Sequence, residues 1–236
     1  MYKLLRARIG KNPNPIVITN RRAVSTSKQI QDYLLCGACE QMFSRNGESW
    51  VMGNCYRGTQ DFALREALER AIPAISTTEY AVYESAKILG ADRCHLSYFA
   101  ASVFWRAAVH CWKISPFREF VHINLGPYEE SLRRFLLGEQ DFPPKMVMAI
   151  RVSSLRTLLE TASPPGEHRE YSIFSFQFSI PGIAFALMAG GRIPASYYDW
   201  CFVRSPGALI LVKPDLDLHD LRLAAVALAN GKKRGQ

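Results

Sequence analysis

The sequence contains no uninterrupted apolar stretch near the ~18 residues that a membrane-spanning helix needs, so no membrane partner is expected. Its most apolar run, residues 180–188, is split by Pro181 and Gly182 into a turn and a strand. No apolar segment follows the basic residues 1–8, so no secretory signal is read there. The chain is therefore expected to be cytoplasmic, with its six cysteines reduced. Internal repeats and low-complexity tracts are also missing. So are a Gly-x-x-x-x-Gly-Lys-Ser/Thr phosphate loop, a Gly-x-Ser-x-Gly elbow and a His-Glu-x-x-His metal motif. No catalytic residue can be named from motifs.

What is present is an ordinary globular composition. At 236 residues and 48% apolar content, the chain buries enough surface to hold a core without disulfides. Residues 16–18 are β-prone, and residues 40–43 read as the first turn of a helix. Residues 62–71 carry a helical stripe that Pro73 stops. In residues 92–112, Leu96, Phe99, Ala100, Val103, Phe104, Ala107, Ala108 and Cys111 recur at helical steps and predict one apolar face. A further helix is expected from Pro127 to Gly138. The period then changes. Residues 145–152 predict a strand, and in residues 171–180 Phe174, Phe176, Phe178 and Ile180 alternate with polar residues. Residues 183–188 are the expected return strand, residues 200–203 and 208–212 a second hairpin, and residues 218–229 a closing helix.

Charge is one-sided near the start. Up to residue 60, Lys3, Arg6, Arg8, Lys11, Arg21, Arg22, Lys28, Arg45 and Arg57 face only Asp32, Glu40 and Glu48. With a formal net charge of +8, this basic front is compatible with DNA or RNA, or with a merely solvated face.

The specific signal is Cys36-Gly-Ala-Cys39. Two thiolates two residues apart can turn both sulfurs toward one ion, and zinc takes sulfur at about 2.3 Å in tetrahedral geometry. The pair is half of a four-ligand site, to be completed elsewhere or by a second copy sharing the ion. Candidates within the chain are Cys55, Cys94, His95, His110, Cys111 and His122, yet Cys94-His95 and His110-Cys111 are adjacent pairs, a poor spacing for one metal. Cys201, between Trp200 and Phe202, reads as a small core residue in a strand. A redox role for the Cys-x-x-Cys is the alternative, but the expected βαβ pattern around it is not found.

Residues 33–48, YLLCGACEQMFSRNGE, resemble a group of largely uncharacterised bacterial proteins related to the treble-clef, HNH-type nucleases. FAASVFWRAAVH at 99–110 and LGPYEE at 125–130 agree with that resemblance, which covers about the first 140 residues. The resemblance implies an earlier Cys-x-x-Cys knuckle and a Ser-His segment, then a helix like Met1-Tyr-Lys-Leu-Leu-Arg6; that knuckle and histidine are not in this sequence. The histidine would activate water while a metal stabilises the scissile phosphate. The sequence is therefore expected to be either a shortened form or a remnant that kept the fold. The persistence of the pair favours the first.

The expectation is an α+β chain with a treble-clef-like N-terminal remnant at 1–60, a helical middle at 61–140 and an antiparallel β-rich half at 141–236, as separate units or one domain. Cys36 and Cys39 would be zinc ligands, and Arg21, Arg22, Lys28 and Arg45 phosphate contacts. The expected function is that of an HNH-related zinc protein facing nucleic acid, inactive as the sequence stands. The alternative is a non-enzymatic interaction or scaffold protein with a degenerate metal site.

Overall fold

Ile16–Ile18 is β-branched throughout and forms strand β1, paired antiparallel with β2, Ala23–Ser25. The computed structural model describes residues 16–18, 23–25, 32–55, 61–114, 119–154, 162–170, 173–204 and 207–212. After the hairpin comes one unbroken helical stretch: α1 (Gly37–Phe43), a π-helical segment (Ser44–Glu48) and α2 (Ser49–Asn54). Helix α3 (Ala63–Arg70) precedes β3 (Ile75–Ser76), β4 (Tyr80–Glu84) and α4 (Ser85–Leu89). The long helix α5 (Arg93–Val109) leads into a hairpin of β5 (Trp112–Ile114) and β6 (Glu119–Val121), then α6 (Tyr128–Leu136). The last part holds β7 (Met146–Ser153), β8 (Ser163–Glu170), β9 (Ile173–Ile180), β10 (Ile183–Ala189), α7 (Ala195–Tyr198) and β11 (Ala208–Val212). Among the described residues no helix is long and apolar enough to cross a membrane.

Seven of the described strands make the main sheet of this α+β fold, in the order β3-β4-β11-β7-β10-β9-β8. Every pairing among them is antiparallel except β7 with β11, which is parallel. The predicted alternation in β9 is realised from Phe176 to Ile180: Phe176, Phe178 and Ile180 are buried and pair with Leu187, Phe185 and Ile183 of β10, while Ser175 is buried too. Phe178 and Phe185 stack with centroids 4.7 Å apart. Phe174, at the end of the same face, is 64% exposed and lies outside the core.

Helix α5 departs from the predicted single apolar face. Leu96, Ser97, Tyr98, Phe99, Ala100, Ala101 and Ser102 are all buried, which covers every direction around the helix. The cause is packing on two sides. Toward the sheet, the Phe99 ring meets Phe178 and Phe185, and Phe104 meets Phe178 at 4.9 Å. Toward the other side, Tyr98 meets Phe43 of α1 edge-on at 5.6 Å. Small residues and serines permit this. The Ser102 hydroxyl donates back to the Phe99 carbonyl at 2.7 Å, so its burial leaves no unpaired polar atom.

Other expectations are corrected. Helix α5 ends at Val109, not Trp112, because its last carbonyls are taken from outside. Trp112 Nε1 donates to the Arg106 carbonyl at 2.9 Å, and Ile123 N to that of Ala107 at 3.1 Å. Cys111 is accordingly exposed beyond the helix and adds nothing to its apolar face. Residues 200–203 form a turn and not a strand, so the second predicted hairpin does not exist. Phe202 N bonds to the Met148 carbonyl at 3.0 Å, and β11 inserts between β4 and β7 instead. Cys201 is fully buried as expected, but in that turn. Strand β8 escapes prediction because it contains Pro164-Pro165-Gly166; an edge position and a register shift between Ser163 and Gly166 accommodate them. The predicted helix at 127–138 is found, with Pro127 as its N-cap and Gly138 at φ +73° just past its end. The helix that the resemblance implies at Met1 to Arg6 and the helix read in 218–229 lie outside the described residues.

Gly47 lets the helical stretch reach α5. A Cβ there would stand 2.7 Å from the Phe99 backbone nitrogen, whereas one on Gly37 would meet nothing within 4 Å. Gly47→Ala is expected to lower unfolding stability by about 1–3 kcal/mol through overpacking. Gly37→Ala is expected to lose none, and urea unfolding of the two variants compares them.

Candidate metal centre

The two cysteines stand where the helical stretch begins. Cys36 is the N-cap residue of α1, in an extended conformation, and Cys39 falls in the first turn. The Cys36 carbonyl accepts the first helical bond, from Glu40 N at 3.0 Å. First-turn N–H groups have no partner within the helix, so they are available to a side-chain acceptor. Here the acceptor is sulfur. The backbone N–H of Cys39 and then the Cys39 thiol bond the Cys36 sulfur and hold its pKa below the usual thiol value. The same thiol-to-thiol bond is the largest cause of the opposite shift at Cys39, whose pKa is raised. The pair's proton is therefore held less firmly at Cys36 than at Cys39.

The helix bearing the pair is tied down at several points. Asp32, ahead of the pair, accepts from Tyr33 N at 2.8 Å and from His110 Nε2 at 2.9 Å. These two bonds, the backbone one first, hold the Asp32 carboxyl below its ordinary range. The His110 ring also meets Trp112 edge-on at 4.7 Å. In the π-helical segment, the Asn46 carbonyl accepts from His95 Nδ1 at 2.9 Å. Glu48 accepts from Arg106 Nη2 at 2.7 Å, while the Arg106 guanidinium lies 5.7 Å from the Phe43 ring centroid. Burial pushes the Tyr98 pKa up, and its hydroxyl is held on the Leu136 carbonyl at 2.8 Å. Arg106, His95 and His110 thus act as anchors of the pair's helix; nothing in their sequence spacing announces this.

The other candidate ligands do not join the pair. Cys55 is buried at the opposite end of the helical stretch, and Cys201 is sealed in the core. Cys94 is exposed and its thiol donates to the Ala91 carbonyl. Cys111 and His122 are exposed, and His95 and His110 are engaged as above. Among the described residues, no three His, Cys, Asp or Glu side chains gather into a group that could hold a metal. As a donor set the pair suits zinc, because paired thiolates are soft ligands, but it offers two of the four positions. Arg45 is exposed on the π-helical segment, near the pair in sequence. Arg21, Arg22 and Lys28 lie outside the described residues. Compared with family models, with curated proteins and with solved structures, the chain finds no match.

The asymmetry of the pair has a direct readout. In metal-free protein, iodoacetamide is expected to modify Cys36 ahead of Cys39, and to keep doing so as pH falls below the usual thiol range. Its lowered pKa leaves more thiolate there, and peptide mass mapping against pH measures it.

Proposed function

We propose that the chain is an HNH-related, zinc-binding protein that faces nucleic acid, with Cys36 and Cys39 as two of the zinc ligands. The observation that carries this reading is the placement of Cys36 at the N-cap and Cys39 in the first turn of one helix, one exposed and one half-buried. Two thiols within one helical turn can reach a common ion, as two corners of a tetrahedral site must. The hairpin of β1 and β2 ahead of that helix supports the treble-clef reading. Zinc bound there would cross-link the start of α1 and contribute to folding directly.

Phosphate contact would fall to Arg45 and to Arg21, Arg22 and Lys28, in a front where Asp32, Glu40 and Glu48 are the opposing charges. Two of those three acids are already engaged, Asp32 with His110 and Glu48 with Arg106. That engagement leaves the basic groups less opposed toward a polyanion. Nuclease chemistry is not part of the proposal for this chain, since the sequence carries no Ser-His segment of the kind the family uses on water.

Binding to a labelled DNA duplex is expected to weaken steeply between low and moderate salt, and Arg45→Ala is expected to reduce both the affinity and that slope. Fluorescence anisotropy across a salt series measures both. No binding at low salt would favour the second reading, a scaffold built on the sheet and α5. Cleavage of a plasmid by the chain with added divalent metal, lost in Cys36→Ala, would overturn the absence of nuclease activity.

A further inference from the structure

The pair is two ligands short of a closed zinc site, and for a site of four sulfurs the structure limits where the rest can come from. All six cysteines of the chain lie among the described residues, and none of the other four forms a metal-holding group with Cys36 and Cys39. Two are buried, Cys94 is bonded to the backbone of its own turn, and Cys111 lies past the C-terminal end of α5. A four-sulfur site therefore needs sulfurs from outside a single copy of this sequence.

Resting on the zinc reading above, we propose that those sulfurs are Cys36 and Cys39 of a second copy of this chain, so that one zinc ion joins two copies. A two-fold axis through the ion would make the contact self-complementary, each copy presenting the same turn. The surface suits such an approach. Gly37 and Ala38, between the two cysteines, are exposed, and nothing lies within 4 Å of where a Gly37 side chain would start. Tyr33, three residues ahead of Cys36, is fully exposed and supplies an aromatic ring that a neighbouring copy would cover.

The chemistry balances. Four thiols bind one Zn²⁺ as thiolates and release four protons, with no change of oxidation state. The resulting centre carries two negative charges. Those face the N-terminal ends of two long helical stretches, whose free N–H groups favour negative charge. They also offset the repulsion between two basic fronts brought together.

The test uses the full chain, reduced, loaded with zinc and freed of excess by gel filtration. Metal content by mass spectrometry and molar mass by light scattering are read on the same sample. The expected result is about half a zinc per chain in a dimer that falls to monomer with a chelator. Cys36→Ser and Cys39→Ser are expected to be zinc-free monomers, and Cys94→Ser and Cys111→Ser to stay dimeric with zinc. The wild-type chelator arm decides the question even if a serine variant misfolds. About one zinc in each monomer overturns the shared site and leaves the zinc reading standing. A dimer that survives the chelator overturns the shared site as well. No retained zinc overturns both readings.

Discussion

Two helix backbones pack this closely only where one of them lacks a side chain, and that condition is met where Gly47 lies against Phe99. Several of the contacts that orient the cysteine pair gather around this one. With the helical stretch pressed onto α5, Phe43 reaches Tyr98, the Asn46 carbonyl reaches His95, and Glu48 reaches Arg106. The π-helical geometry from Ser44 to Glu48 widens the turn at this point, and such segments recur where a helix must serve a site. Helix α5 in turn rests on the phenylalanines of β9 and β10. A stiff path of packed groups thus runs from the sheet to the two sulfurs.

Much of this frame is legible in the sequence, because the elements concerned obey one dominant rule each. β9 alternates, β10 follows a Pro-Gly turn, and α6 has a proline at its start and a glycine past its end. The failures have equally particular causes. β8 contains two prolines, which argue against a strand unless its position at an edge is already known. Trp200 to Val203 is apolar enough for a strand, but its backbone is spent on a turn and on the Met148 carbonyl. Helix α5 reads as one-sided because Ser97, Tyr98, Ala101 and Ser102 fall off the apolar stripe, although here they are buried as well and admit neighbours on both flanks.

The site is half legible. Cys-x-x-Cys spacing identifies two donors, and their location at a helix start is a local matter that sequence can suggest. Long-range pairings are another kind of information. Asp32 with His110 and Glu48 with Arg106 join residues far apart in the chain, and no pattern in either segment specifies its partner. Nor can spacing tell that Asn46-Gly47, a common turn dipeptide, sits inside a helical stretch. The pair's chemistry is thus written in its own four residues, while its placement requires the whole fold.

The prolines of β8 matter beyond their own strand. An outermost strand normally leaves a row of backbone donors open to any passing chain, and Pro164 and Pro165, which carry no N–H, interrupt that row at one margin of the sheet. At the opposite margin β3 is only two residues long and is preceded by Pro73. Both flanks are thereby poor templates for strand-by-strand growth, a safeguard against fibre-like stacking in a chain with so apolar a sheet. Self-association is steered away from the sheet margins.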